Sequence, residues 1–485
     1  MACSSYGGVQ EVPGSYGLPI IGAIADRYDY FVKKGVEPFF RKRMEKYKST
    51  VFRVNMPPGP PISRDPRVII LLDAKSFPIL FDMSKVDKTN AFTGVYSPST
   101  KFTGGYRVLS YLDPSEQNHS KLKNFCFYVL KTNATKWFPE FKRATGELWA
   151  KLDRQFAQSG KAEFNSENLQ MCFNFLCRSV LNRDPAEPGY ASLGTQGPSY
   201  VFKWIGLQLA PIASTGVLPK MLEEITIHAL PLPFLLVCGD YKKVYDFFWT
   251  YGRHLLEAAE HQFDLSQEEA CHNLVFTICF NTFGGMFIFF PSLIQRIATA
   301  GKQLHADLAE EIRGGIKKHG ELNIKALESM ALLRSTVYEA LRIDPPVPFQ
   351  YGHAKEDLVV ESHDGRYAVK KGEMLGGYQP FATRDPRVFH YPDDFLPRRF
   401  MGEEGEKLLK YVLWSNGPET EQTTVHNKQC AGKHFVVMIS RLLVAHLFVH
   451  YDSFEIDTST TTKVVLTSLQ KDTSSFPFSQ LNVGA

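Results

Sequence analysis

Lys410-Tyr-Val-Leu-Trp-Ser-Asn-Gly-Pro-Glu-Thr-Glu-Gln-Thr-Thr-Val-His-Asn-Lys-Gln-Cys-Ala-Gly-Lys-His-Phe435 decides how the rest of the chain is read. It presents Cys430 directly ahead of an apolar-periodic run, Phe435, Val436, Met438, Ile439, Leu442, Leu443 and Leu447, which predicts a long helix. A cysteine at a helix N-terminus faces unpaired N–H groups and the positive end of the macrodipole. That setting favours thiolate over thiol, and a thiolate is an axial ligand for haem iron. Gly432 leaves room for a flat cofactor to approach the backbone, and Lys428 offers an ammonium to a propionate. Alone, a cysteine such as Cys430 is most often a small buried hydrophobe.

Two further motifs separate these readings. Glu339-Ala-Leu-Arg342 lies on a predicted helix, where the i, i+3 spacing places both side chains on one face. Pro397-Arg398-Arg399-Phe400 stands between that helix and the cysteine. The order Glu-x-x-Arg, Pro-x-Arg-Phe, Cys-x-Gly resembles the cytochrome P450 superfamily. The resemblance implies a haem-thiolate fold with haem b on Cys430, and Glu339, Arg342 and Arg399 paired to support the cysteine loop. The loop also departs from the monooxygenase pattern. Trp414 stands for its Phe, Lys428 for its Arg, and an expansion from Pro418 to His426 separates Gly417 from the cysteine. In this the chain resembles the plant enzymes that metabolise fatty-acid hydroperoxides: allene oxide synthases, hydroperoxide lyases and divinyl ether synthases. Asn427-Lys-Gln-Cys-Ala-Gly-Lys433 is similar to their signature.

Ser266-Gln-Glu-Glu269 reads as a capping box opening a long helix, which Pro291 is expected to stop. Phe276, Phe280, Phe283 and Phe287 form a stripe read as core, and Thr277, Asn281, Gly284 and Gly285 occupy the neighbouring face. Phe280-Asn-Thr-Phe-Gly-Gly285 lacks the acid–alcohol pair with which monooxygenases deliver protons to dioxygen. A carboxamide can both donate to and accept from a peroxide. The resemblance places the substrate-orienting asparagine at Asn281, although a mid-helix Asn is more often structural. Phe287 stands where allene oxide synthases often carry a lysine, so no lysine contact carries over.

Lys88, His119, Lys123 and Lys428 match the resembled family's propionate partners, against the plain reading of lysines as solvated surface. Phe92, in the Gly/Ser/Thr-rich loop Ala91–Gly105, matches an aromatic that allene oxide synthases have and lyases replace with leucine. An aromatic face attracts a developing cation, whereas a lone loop phenylalanine is otherwise a packing anchor.

The whole chain agrees with this reading. At 485 residues, 22% charged, 44% hydrophobic and net charge +4, it has the make-up of a globular protein with no long basic run for nucleic acid. Eight cysteines without a Cys-x-x-Cys pair point to a reducing compartment. No run of about 18 apolar residues predicts a transmembrane helix. Met1–Gly14 shows no signal core or transit segment, so a cytoplasmic or peripheral-membrane location is expected and a plastid is left open.

Val51–Asn55 and Arg67–Leu72 read as strands bounded by prolines, and 185–197 as a loop. The helical period dominates from about 114 to 345. This predicts a mainly α fold with small β-sheets: one catalytic unit over 1–485, β-rich near 50–75, 355–380 and 462–470. Leu230–Val237 reads as core or as a patch touching a bilayer.

The expected activity is an allene oxide synthase, a hydro-lyase needing neither NADPH, O₂ nor a reductase and acting on polyunsaturated fatty-acid hydroperoxides. Alternatives are a divinyl ether synthase or hydroperoxide lyase, a reductase-dependent monooxygenase, or a haem- or lipid-binding protein without catalysis.

Overall fold

The computed structural model describes residues 8–460 and 463–471. The first seven residues, on which part of the leader reading rests, and residue 462 of the last β-rich part lie outside that range. Helices fill the middle of the chain, from Gln117–Thr132 to Ala331–Ile343, as the 3.6-residue period predicts.

The helix Lys433–His450 is the hub. Ile439, Leu442, Leu443, Val444, Leu447 and Phe448 are buried along it, and it packs on Ala134–Ser159, Lys302–His319 and Ala331–Ile343. Its neighbour in the core is the continuous helical run Gln267–Ala300. Ser266 caps this run as predicted, its Oγ accepting the Glu269 N–H at 3.2 Å.

Pro291 does not end the run. The helix continues to Ala300 with the proline inside it, fully buried beside Phe289 and Phe290. A proline removes one i→i−4 bond, but packing against Phe164–Leu181, Lys302–His319 and Ala331–Ile343 holds the segment together. Both Gln267–Ala300 and Lys433–His450 are long and apolar enough to cross a bilayer by length and composition alone. Their apolar windows are 61% and 67% buried inside the protein, which marks both as core helices.

Among the described residues, three sheets flank the helices. The largest has five strands in the order Val51–Asn55, Arg67–Leu71, Met374–Tyr378, Phe349–Ala354 and Val86–Asp87. Leu358–Glu361 and Arg366–Val369 form a hairpin joined by Val9–Glu11. Val465–Lys471 pairs with Tyr451–Ile456 on one side and with Ala162–Glu163 on the other.

The five-stranded sheet bears on the site at its short edge. Val86–Asp87 runs beside Phe349–Ala354, and a Cβ on Gly352 would come within 2.2 Å of Val86 Cγ1. Only glycine lets this edge close, and Lys88 is the next residue along it.

Candidate active site

Glu339 and Arg342 sit one turn apart on Ala331–Ile343, both with 0% side-chain exposure. The guanidinium donates to both carboxylate oxygens, at 2.7 and 2.8 Å. Arg399 Nε reaches the same carboxylate at 3.0 and 3.1 Å, and the Leu396 N–H adds a bond at 2.9 Å. Both guanidinium groups also donate to main-chain carbonyls: Arg342 to Thr383, Pro392 and Asp394, Arg399 to His390, Tyr391 and Asp394. One buried carboxylate thus fixes the meander from 383 to 399 that leads into the cysteine loop.

That loop folds back on itself. Trp414 N–H donates to Gly417 O at 2.8 Å, and Cys430 N–H to Trp414 O at 3.3 Å. Leu413 bridges Pro418 and Ser415 bridges Gln429. Within the expansion, Glu419 N–H bonds Val412 O at 2.7 Å, and Tyr338 OH donates to Glu419 Oε1 at 2.9 Å. Gly432 caps the helix Lys433–His450, and a Cβ on it would stand 4.0 Å from Cys430 Sγ. Burial pushes the Cys430 thiol up, against the Gly432 N–H and the charges of Lys123 and Lys433. The helix terminus alone therefore does not produce a thiolate. Bonding to a metal does that outright.

Lys88, His119 and Lys123 are buried, not solvated, with 3%, 1% and 3% exposure. Lys88 Nζ donates to Tyr351 O at 2.7 Å, and Lys123 Nζ to the carbonyl of Gln429. Lys428 Nζ is enclosed by the carbonyls of Leu109, Ser110 and Leu112 at 3.2, 2.9 and 2.7 Å. Burial, then the charge of Lys428, lowers Lys88 far below the usual lysine range, and burial, then the charge of Lys123, brings Lys428 to about 7. Burial and the charges of Lys428 and Lys123 bring His119 to about 4, and its Nδ1 is buried without a partner. Several buried cationic groups repelling one another describe a site shaped for an anion.

On the other side stands the distal helix. Phe276–Phe283 is a π-helical stretch, and within it the Thr282 hydroxyl donates to the Thr277 carbonyl at 2.9 Å. Such bulges recur at functional sites. Asn281 lies in it with an exposed side chain, its Nδ2 3.5 Å from Ser110 Oγ. Gly285 has no neighbour within 4 Å of a Cβ position, and Gly284 faces Ile205 at 3.7 Å.

Phe276, Phe280 and Phe283 are core, as the stripe predicts. Phe287 is only partly buried, edge-on to Phe202 at 5.5 Å. Phe92 meets Tyr111, Phe276 and Phe280 edge-on at 6.0, 6.4 and 6.0 Å. It shares a small cavity with Lys88, Ser110, Gln350, Asn416 and Lys428.

Comparison with known proteins agrees with this arrangement. The Cytochrome P450 family pattern matches residues 300–473. The chain is 53% identical over 466 residues to a chloroplastic allene oxide synthase 2 of Solanum lycopersicum, covering 95% of this chain and 90% of the relative. It is 52% identical over 467 residues to the chloroplastic allene oxide synthase of Arabidopsis thaliana, covering 96% and 89%. An allene oxide synthase of Parthenium argentatum is 53% identical over 452 residues, covering 93% and 94%.

The chain belongs to the allene oxide synthase family. Membership brings haem ligated by a cysteine thiolate. The residues present fit that group: one thiol at a capped helix, buried cations for two carboxylates, and glycines where a macrocycle needs clearance.

The sequence reading of this allene oxide synthase family member missed several parts of the site. Ser110 was not singled out, because a loop serine carries no pattern. Gln350, 5% exposed with an unpartnered Nε2, lies on a strand that was not predicted. Tyr111, whose ring completes the Phe92 cage, has a buried hydroxyl without a partner.

Proposed function

We infer that this protein is an allene oxide synthase, converting polyunsaturated fatty-acid hydroperoxides to allene oxides by net loss of water, without nicotinamide cofactor, dioxygen or reductase. The observation that carries this is identity above 50% with allene oxide synthases over nearly the whole chain. When bound, haem supplies the one-electron chemistry that breaks the O–O bond.

The residues of the chain take the remaining roles. Cys430 would hold the iron, with Lys88, His119, Lys123 and Lys428 holding the propionates and Glu339, Arg342 and Arg399 bracing the loop. Gly432 leaves the cofactor room. The Asn281 carboxamide orients the hydroperoxide by donating to one oxygen and accepting from the other. The ring of Phe92 faces the carbon that becomes cationic before the final proton is lost, an interaction of roughly 0.5–2 kcal/mol. Groups from Lys88 to Gly432 meet in this one place, which supports a single catalytic unit spanning the chain.

A peripheral membrane contact is part of the same proposal. Leu230, Leu235 and Leu236 are 57%, 78% and 65% exposed, and Ile20 and Ile21 are 62% and 65% exposed. The buried Arg27–Glu224 pair at 2.6 Å and the Phe31–His228 stack at 3.7 Å tie the two segments together. Exposed apolar surface of this kind suits a lipid from which the substrate is drawn. The chloroplastic names of the tomato and Arabidopsis relatives support a plastid location.

The deciding experiment gives haem-loaded protein each hydroperoxide isomer with no reductant and identifies products by mass spectrometry. Ketols from allene oxide hydrolysis are expected. Chain-cleaved aldehydes as the main product, or turnover only with NADPH and a reductase, would overturn the reading.

A further inference from the structure

Lys433 has no part in the roles given above, yet it occupies an unfavourable place for a cation. It is the first residue of the helix Lys433–His450, where the macrodipole is positive, and it is 1% exposed. Its ammonium donates to the carbonyl of Glu419 at 2.7 Å and to that of Glu421. Both acceptors lie in the Pro418–His426 expansion, so the helix holds the expansion through this one side chain.

The expansion is in turn bonded to the residues beside the cysteine. Gln429 Nε2 donates to Pro418 O, and Thr423 Oγ1 to Gln429 O at 3.1 Å. Lys123 Nζ also donates to the Gln429 carbonyl. A shift of the Glu419–Glu421 backbone therefore passes through Pro418 and Thr423 to Gln429, and so to Cys430. The longer loop gains two main-chain anchors without needing any particular side chain of its own at those points.

We propose that Lys433 is the positioning residue of the cysteine loop, pinning the expansion by its backbone and so fixing where Cys430 Sγ stands against the iron. This rests on the reading of Cys430 as the axial ligand, and Cys430→Ser tests that reading separately.

Three holoproteins are compared with wild type: Lys433→Met, Lys433→Arg and Cys430→Ser. The measurements are the ferrous–CO absorption band and the rate of haem transfer to apomyoglobin. Lys433→Met should convert part of the CO complex to the form lacking thiolate and speed haem loss about tenfold, the effect of losing a pair of charge-assisted hydrogen bonds. Lys433→Arg, whose fork can reach two carbonyls, should restore both properties.

A methionine variant with the wild-type band and haem retention would overturn the proposal, even if it unfolded more readily. Should Lys433→Met not fold, Lys433→Gln, which keeps a donor, decides on the same two measurements. It should lie between wild type and loss of the thiolate band, and wild-type behaviour would again overturn the proposal. If Cys430→Ser kept the thiolate band, the ligand assignment itself would fail and this proposal with it.

Discussion

Replacing Glu339 by glutamine tests how much the fold depends on one carboxylate. The shape hardly changes, but both oxygens are in use. Oε1 accepts from Arg342 Nη2, Arg399 Nε and Leu396 N, while Oε2 accepts from Arg342 Nε and Arg399 Nε. Whichever way the amide turns, its NH₂ faces at least two donors, and two guanidinium groups lose their shared negative charge.

A buried donor left without an acceptor costs about 1–3 kcal/mol. Breaking a buried ion pair by removing one partner costs about 3–5 kcal/mol. The second figure already contains the first, so a loss of about 4 kcal/mol is expected, a large share of the roughly 5–15 kcal/mol that holds a domain folded. Urea unfolding of the apoprotein at equilibrium reads this as a lower midpoint with an unchanged slope. In Arg399→Gln the Glu339–Arg342 pair survives, so the loss should be smaller. Should Glu339→Gln unfold within about 1 kcal/mol of wild type, the network would be worth no more than a surface pair, where the median is about 0–1 kcal/mol.

Asn281→Leu should lower turnover about a hundredfold with the thiolate spectrum intact, the scale of losing an oriented polar contact. Unchanged turnover would make Asn281 a structural residue. In Phe92→Leu, hydroperoxide consumption should persist while product shifts away from allene oxide, because about 1.4 kcal/mol redirects a partition tenfold. A leucine variant giving almost only ketols would reduce Phe92 to packing. Burial holds His446 down to about 3 and His272 down to about 4. The unfolded chain takes up those protons near pH 6.5, so stability is full above that value and falls as pH drops toward 4. The slope should reach about 1.4 kcal/mol per pH unit for each histidine. His446→Leu should flatten the acid limb, and an unchanged limb would refute the assignment.

Much of this site was legible because its chemistry is local. Glu339 and Arg342 are one turn apart, Cys430 precedes its own helix, and Val51–Asn55 is a β-branched run between breakers. The missed parts depend on distant pairings. Met374–Tyr378 falls within the expected β-rich part at 355–380, although Met-Leu-Gly-Gly-Tyr shows no alternation because the strand is buried throughout its length. Phe349–Ala354 becomes a strand by pairing with it and with Val86–Asp87. The burial of Lys88 follows from that sheet edge and from no feature of its own neighbourhood in the sequence. Pro291 misled because a rule about helix interiors weighs one lost bond, whereas the packed helices on three sides weigh more. The π stretch left no mark in the pattern of phenylalanines, which fits either helical period over so short a run.

Lys88, Lys123, Lys428 and Lys433 share a habit: each ammonium rests on peptide oxygens. A peptide oxygen is supplied by every amino acid, so the grip does not depend on which residues occupy the segment being held. The expansion is therefore free to drift in composition while its path stays the same. Length is a different matter. Adding or removing one residue between Glu421 and Gln429 would put the carbonyls held by Lys433 out of register with the Gln429 carbonyl held by Lys123. Substitution scanning across 418–426 should accordingly be permissive, apart from proline and positions such as Thr423 whose side chains bond the loop, while single-residue deletions should abolish haem incorporation.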